Sequence, residues 1–198
     1  MDFCIIIPVK PFAEAKQRLA PALNPAGRAR LAENMFRHVL DVASASFGVS
    51  NVLVISRSRD VLATAEAKGA MAVVESEPFG LNSALVKAAA IARAQGVSRT
   101  LVLASDLPLL EESDLAELAK HDCAVAPDRH RRGTNALLWP ITLPFSFGDD
   151  SFARHLAIAA NAVLDRHIVT RTGLVHDVDV PEDLLGAFPL PRLSGGEG

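Results

Sequence analysis

Cysteine is scarce in this chain: Cys4 and Cys123 are the only two among 198 residues. Two isolated thiols make neither a disulfide framework nor a zinc site. Each lies beside or within an apolar run, so both read as buried core residues. The six histidines show no metal-ligand spacing. A surplus of charge is missing too. The formal net charge is −3, which argues against a dedicated nucleic-acid or membrane-surface binder. No apolar run approaches the length needed to cross a bilayer. The opening MDFCIIIPVKP has no basic segment ahead of its apolar stretch, and that stretch is too short for a secretion signal. A first buried strand is the expected reading, with a cytoplasmic location. Neither G-x-x-x-x-G-K-S/T nor G-x-G-x-x-G occurs, which argues against a P-loop NTPase and a dinucleotide-binding Rossmann enzyme.

What is present is a chain that is 49% hydrophobic and 22% charged, the balance of a globular protein long enough for one domain with a sizeable core. Short apolar runs alternate with helical patterns. Strands are expected at 4–9, 52–55, 71–74, 100–104 and from 124. Helices are expected at 25–45 (capped by Asn24, with Pro25 at its first position), 61–68, 83–94 (capped by Asn82) and through Lys120 (capped by Ser113). This alternation predicts βαβ crossovers and an α/β fold with a mainly parallel sheet. Beyond residue 130 the expectation is a strand over 133–138, a helix from Ser151 to about Leu164, short strands around 168–169 and 175–178, and a helical turn at 181–185. One domain over residues 1–190 and a disordered tail at 191–198 complete the expected organisation.

Ligands of open α/β sheets bind outside the carboxyl ends of the strands, and four segments reach that rim. In PVKPFAEAKQRLAP, residues 8–21, Lys10, Lys16 and Arg18 cluster as they would around a polyphosphate, or as a solvated basic loop. In EPFGLNSAL, residues 77–85, Gly80 lets backbone approach a ligand closely, or serves an ordinary loop-to-helix turn. In LVLASDLPLL, residues 101–110, Asp106 leaves a buried strand. A carboxylate there is costly unless it is bonded, solvated or paired; it either caps the next turn or holds Mg²⁺. HDVDVPEDL, residues 176–184, offers Asp177 and Asp179, which period-two spacing would put on one side of a strand. In the fourth segment, APDRHRRGTNALL, the basic run of Arg129, Arg131 and Arg132 reads as a solvated face, and Thr134 and Asn135 add polar groups. Further on, FSFGDDSFARH brings Gly148 just ahead of Ser151, where a helix start either holds a small anion or is merely capped by Asp150 or Ser151.

Taken in order, IPVKPFAEAKQRLAP, GLNSAL, LASDLPLL, APDRxxxGTNALL, FGxxSFARH and DVDVPEDL resemble the CofC/FbiD family of phospho-acid guanylyltransferases. The resemblance spans roughly residues 5 to 185. It implies the nucleotidyltransferase fold, a three-layer, glycosyltransferase-A-like and Rossmann-like α/β/α domain. It implies Mg²⁺-dependent transfer of GMP from GTP to 2-phospho-L-lactate, phosphoenolpyruvate or 3-phospho-D-glycerate, with release of pyrophosphate, in the biosynthesis of coenzyme F-420. Carried over residue by residue, Asp106 and Asp179 are the metal aspartates, with Asp177 as the alternative to Asp179. Lys16 joins them in catalysis. Lys10, Lys16 and Arg18 meet the triphosphate, Gly80, Leu81 and Asn82 the guanine, and Thr134, Gly148 and Ser151 the acceptor. The segment RHRRGTN is more basic than the family pattern, a departure that bears on acceptor preference. The competing readings are a nucleotidyltransferase acting on a sugar phosphate or a molybdenum cofactor, and a nucleotide-binding module without catalysis. Oligomeric state stays open, a homodimer included.

Overall fold

A computed structural model describes residues 2–77 and 80–184. Among these residues seven strands form one sheet: β1 (Phe3–Pro8), β2 (Val52–Ser56), β3 (Met71–Val74), β4 (Arg99–Leu103), β5 (Ala124–Pro127), β6 (Thr134–Pro140) and β7 (His167–Ile168). Their spatial order is β3-β2-β1-β4-β6-β5-β7. Six strands point the same way, and β6 alone runs antiparallel to its neighbours β4 and β5. Among the described residues six α-helices accompany the sheet: α1 (Pro25–Phe47), α2 (Arg59–Lys68), α3 (Leu81–Ala94), α4 (Glu112–Leu118), α5 (Ser151–Asn161) and α6 (Thr172–Val175).

The sheet is apolar on both faces, as a parallel sheet covered by helices must be. On β1, Phe3, Ile5 and Ile7 pack with residues of α1, α2 and α4, including Phe36, Val61 and Leu115. Cys4 and Ile6 face the other way, toward Leu85 and Ala88 of α3 and Phe152 of α5. The result is the expected three-layer α/β/α architecture. Both cysteines are buried free thiols, and burial pushes each thiol up to about 11.

Local chemistry sets the ends of the helices. Asn24 Oδ1 accepts the Gly27 N–H at 2.8 Å, and Pro25 opens α1. Gly69 closes α2 in the left-handed conformation. Four expectations need correction. Asn82 does not cap α3; Gly80 takes that position with φ 147°, and the Asn82 amide is committed elsewhere. Ser113 does not cap α4, because it already lies inside the helix; Glu111 is the N-cap and donates its N–H to Asp114 Oδ2 at 2.9 Å. Helix α5 stops at Asn161 rather than near Leu164. Residues 175–178 are not a strand: Val175 ends α6, and the next residues run as irregular chain. Asn135 Nδ2 binds the Leu174 carbonyl of α6 at 3.0 Å and Asp177 Oδ1 at 3.3 Å, so a side chain of β6 holds this segment instead of a strand ladder. Of the turn expected at 181–185, Pro181–Asp183 forms a 3₁₀ turn. Leu185, the tail at 191–198 and the Pro78–Phe79 part of EPFGLNSAL lie outside the described residues. Among the described residues no helix is long and apolar enough to cross a membrane.

Connections leave β1 toward β2 on one side, while the chain returns from β3 to β4 on the other. The point where the winding reverses therefore falls between β1 and β4, where ligands of such sheets bind.

Candidate active site

At that reversal point the loop after β1 meets the Ser105–Asp106 turn after β4. Lys16 sits on the first loop with left-handed backbone angles, φ 55° and ψ 38°, and its side chain turns inward to only 8% exposure. The ammonium donates to Asp106 Oδ2 and, at 3.0 Å, to Asp179 Oδ1. Burial alone would lower the Lys16 pKa; attraction to Asp106 and Asp179 and their hydrogen bonds outweighs it and holds the group above the ordinary lysine range. Arg18 lies 3.8 Å from the other Asp179 oxygen.

Asp177 joins this group. One oxygen from each of Asp106, Asp177 and Asp179 lies within 4.8 Å of the others. Burial, then repulsion from Asp106 and Asp179, pushes the Asp177 carboxyl up to about 6, against a weaker pull from Asn135. Asn135 Nδ2 reaches Asp177 Oδ1 at 3.3 Å. Asp183 fixes the backbone beside Asp179 by accepting the N–H groups of Asp179 (2.7 Å) and Val180 (2.9 Å), and Arg129 pairs with Asp183 in turn. Three carboxylates converge on one point that an ammonium already partly neutralises. That donor set, all hard oxygens, fits a Mg²⁺-type cation.

Asp106 and Asp179 lie along a cleft of about 650 Å³, within the range of small-molecule sites. Lys10, Lys16, Arg57, Glu75, Gly80, Leu81, Asp106, Thr134, Phe147 and Asp179 line it. Gly80 donates its N–H to Glu75 Oε1 at 3.0 Å, and its φ of 147° suits a residue without Cβ. Leu81 is 41% exposed, an apolar surface in the cleft wall. Asn82 donates to the Phe147 carbonyl (3.1 Å) and accepts the Phe147 N–H (2.8 Å), tying the 145–148 loop to the start of α3.

Thr134, Gly148 and Ser151 come together beside the cleft. Ser151 Oγ is 3.3 Å from Thr134 Oγ1, and the Ser151 N–H donates to the Gly148 carbonyl at 3.0 Å. Thr134 is the one of the three that lines the cleft; Ser151 is buried behind it. Asp150 takes the N-cap position of α5 without a side-chain cap bond, at φ 53°, and pairs instead with Arg132 at 3.0 Å. The basic run is thus partly structural. Arg129 holds Asp183, Arg132 holds Asp150, and Arg131 lies over the Phe152 ring.

Sequence reasoning missed Arg57, Glu75, Asn135 as a support of Asp177, and His155. Arg57 pairs with Glu14 across 43 positions of sequence, and nothing local in either segment marks that pairing.

A mostly parallel α/β sheet with a carboxylate cluster and cationic loop at its winding reversal is the plan of a nucleotidyltransferase. Solved structures carry the same fold. A CMP:2-keto-3-deoxy-manno-octonic acid synthetase complexed with CTP superposes with TM-score 0.59 at 17% identity, covering 93% of this chain and 96% of that one. A cytidylyltransferase from Leptospira borgpetersenii gives 0.59 at 12% identity, covering 93% and 84%. Residues 3–189 match the family described as guanylyl transferase, CofC-like. Among curated relatives, a phosphoenolpyruvate guanylyltransferase of Rubrobacter xylanophilus is 41% identical over 93% of this chain and 92% of its own. A 2-phospho-L-lactate guanylyltransferase of Methanothermobacter thermautotrophicus is 36% identical over 93% and 83%. The chain belongs to the CofC-like guanylyltransferase family.

Proposed function

We propose that this protein transfers GMP from GTP to the phosphate of a three-carbon phospho-acid, releasing pyrophosphate. Phosphoenolpyruvate is the acceptor we favour, with 2-phospho-L-lactate and 3-phospho-D-glycerate as the alternatives, and the product would feed coenzyme F-420 biosynthesis. One observation carries the reading: a single cleft is lined by Asp106, Asp179 and the Lys16 cation together with Thr134.

In the reaction, an oxygen of the acceptor phosphate attacks the α-phosphorus of GTP. The bond from that phosphorus to the bridging α–β oxygen breaks, and pyrophosphate leaves with the electron pair. A phosphate dianion is already a competent nucleophile near neutral pH, so the protein need not supply one; its work is positioning and charge neutralisation. Asp106 and Asp179, with Asp177 beside them, would hold Mg²⁺, which when bound neutralises charge on the phosphate oxygens. Lys10, Lys16 and Arg18 place positive charge along the triphosphate. Gly80 and Leu81 offer a close backbone and an apolar face to the base, and Asn82 keeps that wall attached to the Phe147 loop. Thr134, backed by Ser151 and Gly148, faces the acceptor.

The test is pyrophosphate release from GTP with each phospho-acid in turn, with ATP and CTP as controls. The expected result is release with GTP and a single preferred acid, lost in chelator and restored by Mg²⁺. Asp106→Asn should leave the fold intact and cut turnover by at least about a hundredfold. Tight GTP binding with no release from any acid would overturn the proposal in favour of a binding module. Near-normal turnover in folded Asp106→Asn would remove Asp106 from the metal site.

A further inference from the structure

A buried hydrogen-bond relay stands behind Thr134. His155 of α5 has no solvent exposure. Its ring packs edge-on against Trp139 (centroids 5.5 Å apart) and Phe147 (4.8 Å). The Ser146 backbone N–H donates to His155 Nε2 at 3.1 Å. A backbone N–H can only donate, so Nε2 is the unprotonated nitrogen and the neutral ring carries its proton on Nδ1. Nδ1 lies 3.0 Å from Thr134 Oγ1, and that contact is therefore a donation to the threonine oxygen. Ser151 Oγ donates to the same oxygen at 3.3 Å.

A threonine hydroxyl accepts twice and donates once. His155 and Ser151 occupy both accepting directions, which leaves the Thr134 proton for the cleft that this residue lines. Left free to rotate, the hydroxyl would often turn a lone pair toward an incoming anion. We propose that His155 is a positioning residue: by donating from Nδ1 it fixes the Thr134 hydroxyl as a donor to an anionic oxygen of the acceptor. The acceptor's identity rests on the function proposed above; the relay rests on the hydrogen bonds alone.

Two substitutions separate the ends of the imidazole. His155→Gln keeps an acceptor for the Ser146 N–H and removes the donor to Thr134. His155→Asn keeps an amide donor near the Nδ1 position and gives up the Ser146 bond. The expected result for His155→Gln is an acceptor KM raised about tenfold, the size of a lost hydrogen bond to a charged group, with the KM for GTP within about twofold. His155→Asn should recover most of that loss. In a Thr134→Val background, His155→Gln should add almost nothing, because both changes remove one interaction. Effects that multiply, a GTP KM that rises equally, or an Asn variant as poor as Gln would overturn the relay. A substrate-free measurement keeps the two claims apart. Long-range ¹H–¹⁵N correlation spectra, with His155→Gln identifying the resonance, should show a neutral His155 protonated on Nδ1. A ring protonated on Nε2 overturns the relay whatever the enzyme turns over. Absence of any guanylyl transfer by the unmodified protein, with the Nδ1 proton in place, overturns the acceptor assignment instead.

Discussion

Asp106 leaves a buried strand as a charge, and Lys16 answers it from a loop ninety positions away. Neither residue is comfortable alone: the acid needs a cation, and the lysine is too buried to stay charged without the acids. His155 solves burial in the opposite way, by staying neutral. Desolvation, aided by the Arg154 charge, pushes its pKa down to about 4. An unfolded chain would protonate it near the ordinary value of about 6.5. Below that pH the unfolded state binds the extra proton first. Stability from this group is therefore complete above about pH 6.5 and is lost as pH falls toward 4, a total of roughly 3 kcal/mol. His155→Asn removes the titration. Urea denaturation between pH 7 and pH 4 should show the wild-type curve falling more steeply than the variant's, while acids elsewhere contribute equally to both. Parallel curves would mean that His155 titrates normally in the fold.

At the scale of elements, the strands and helices legible in the sequence are those whose signals are local. Asn24-Pro25 announces α1, Gly69 closes α2, and Met71–Val74 is strand β3 as read from its apolar run. Failures cluster where distant side chains decide. Asn82 looks like a cap until Phe147, 65 positions on, takes its amide. Residues 175–178 look like a strand until Asn135, bonded to Asp177, and Asp183, bonded to the Asp179 N–H just beyond, hold the chain irregularly. The same non-local logic places α6. A Cβ at Gly173 would lie 2.0 Å from Asp114 Oδ2 and 2.5 Å from the Leu109 carbonyl oxygen. The backbone contact cannot swing aside, so α6 docks only because residue 173 lacks a side chain. Gly173→Ala should destabilise by about 1–3 kcal/mol or more, as overpacking does. In a chain of this size that lowers the melting temperature by about 2–4 °C per kcal/mol. An alanine variant melting with the wild type would show that α6 shifts freely, and with it the segment leading to Asp177.

At the scale of the molecule, the rim was legible in advance because alternating strands and helices imply a mainly parallel sheet, whose strands share one carboxyl edge. Asp106, Asp179, Lys16 and Thr134 line one cleft. The site draws on three separate segments: Lys16 from the first loop, Asp106 from the β4 exit, and Asp177 and Asp179 from the late chain after α6. A ligand binding there ties those segments together in the native state and finds no such site in the unfolded chain. Linkage then gives about 2.7 kcal/mol of added stability at a hundred times Kd, or roughly 5–10 °C in melting temperature at this chain length. We therefore expect GTP with Mg²⁺ to raise the melting temperature by that amount, and GTP in chelator to raise it less. Asp106→Asn should abolish the difference between the two conditions, because it removes one of the three converging carboxylates while Lys10 and Arg18 still attract the triphosphate. Differential scanning fluorimetry on both proteins reads all four values. A Mg²⁺-dependent increment that survives in Asp106→Asn would move the cation away from this cluster and leave Lys16 as its resident charge.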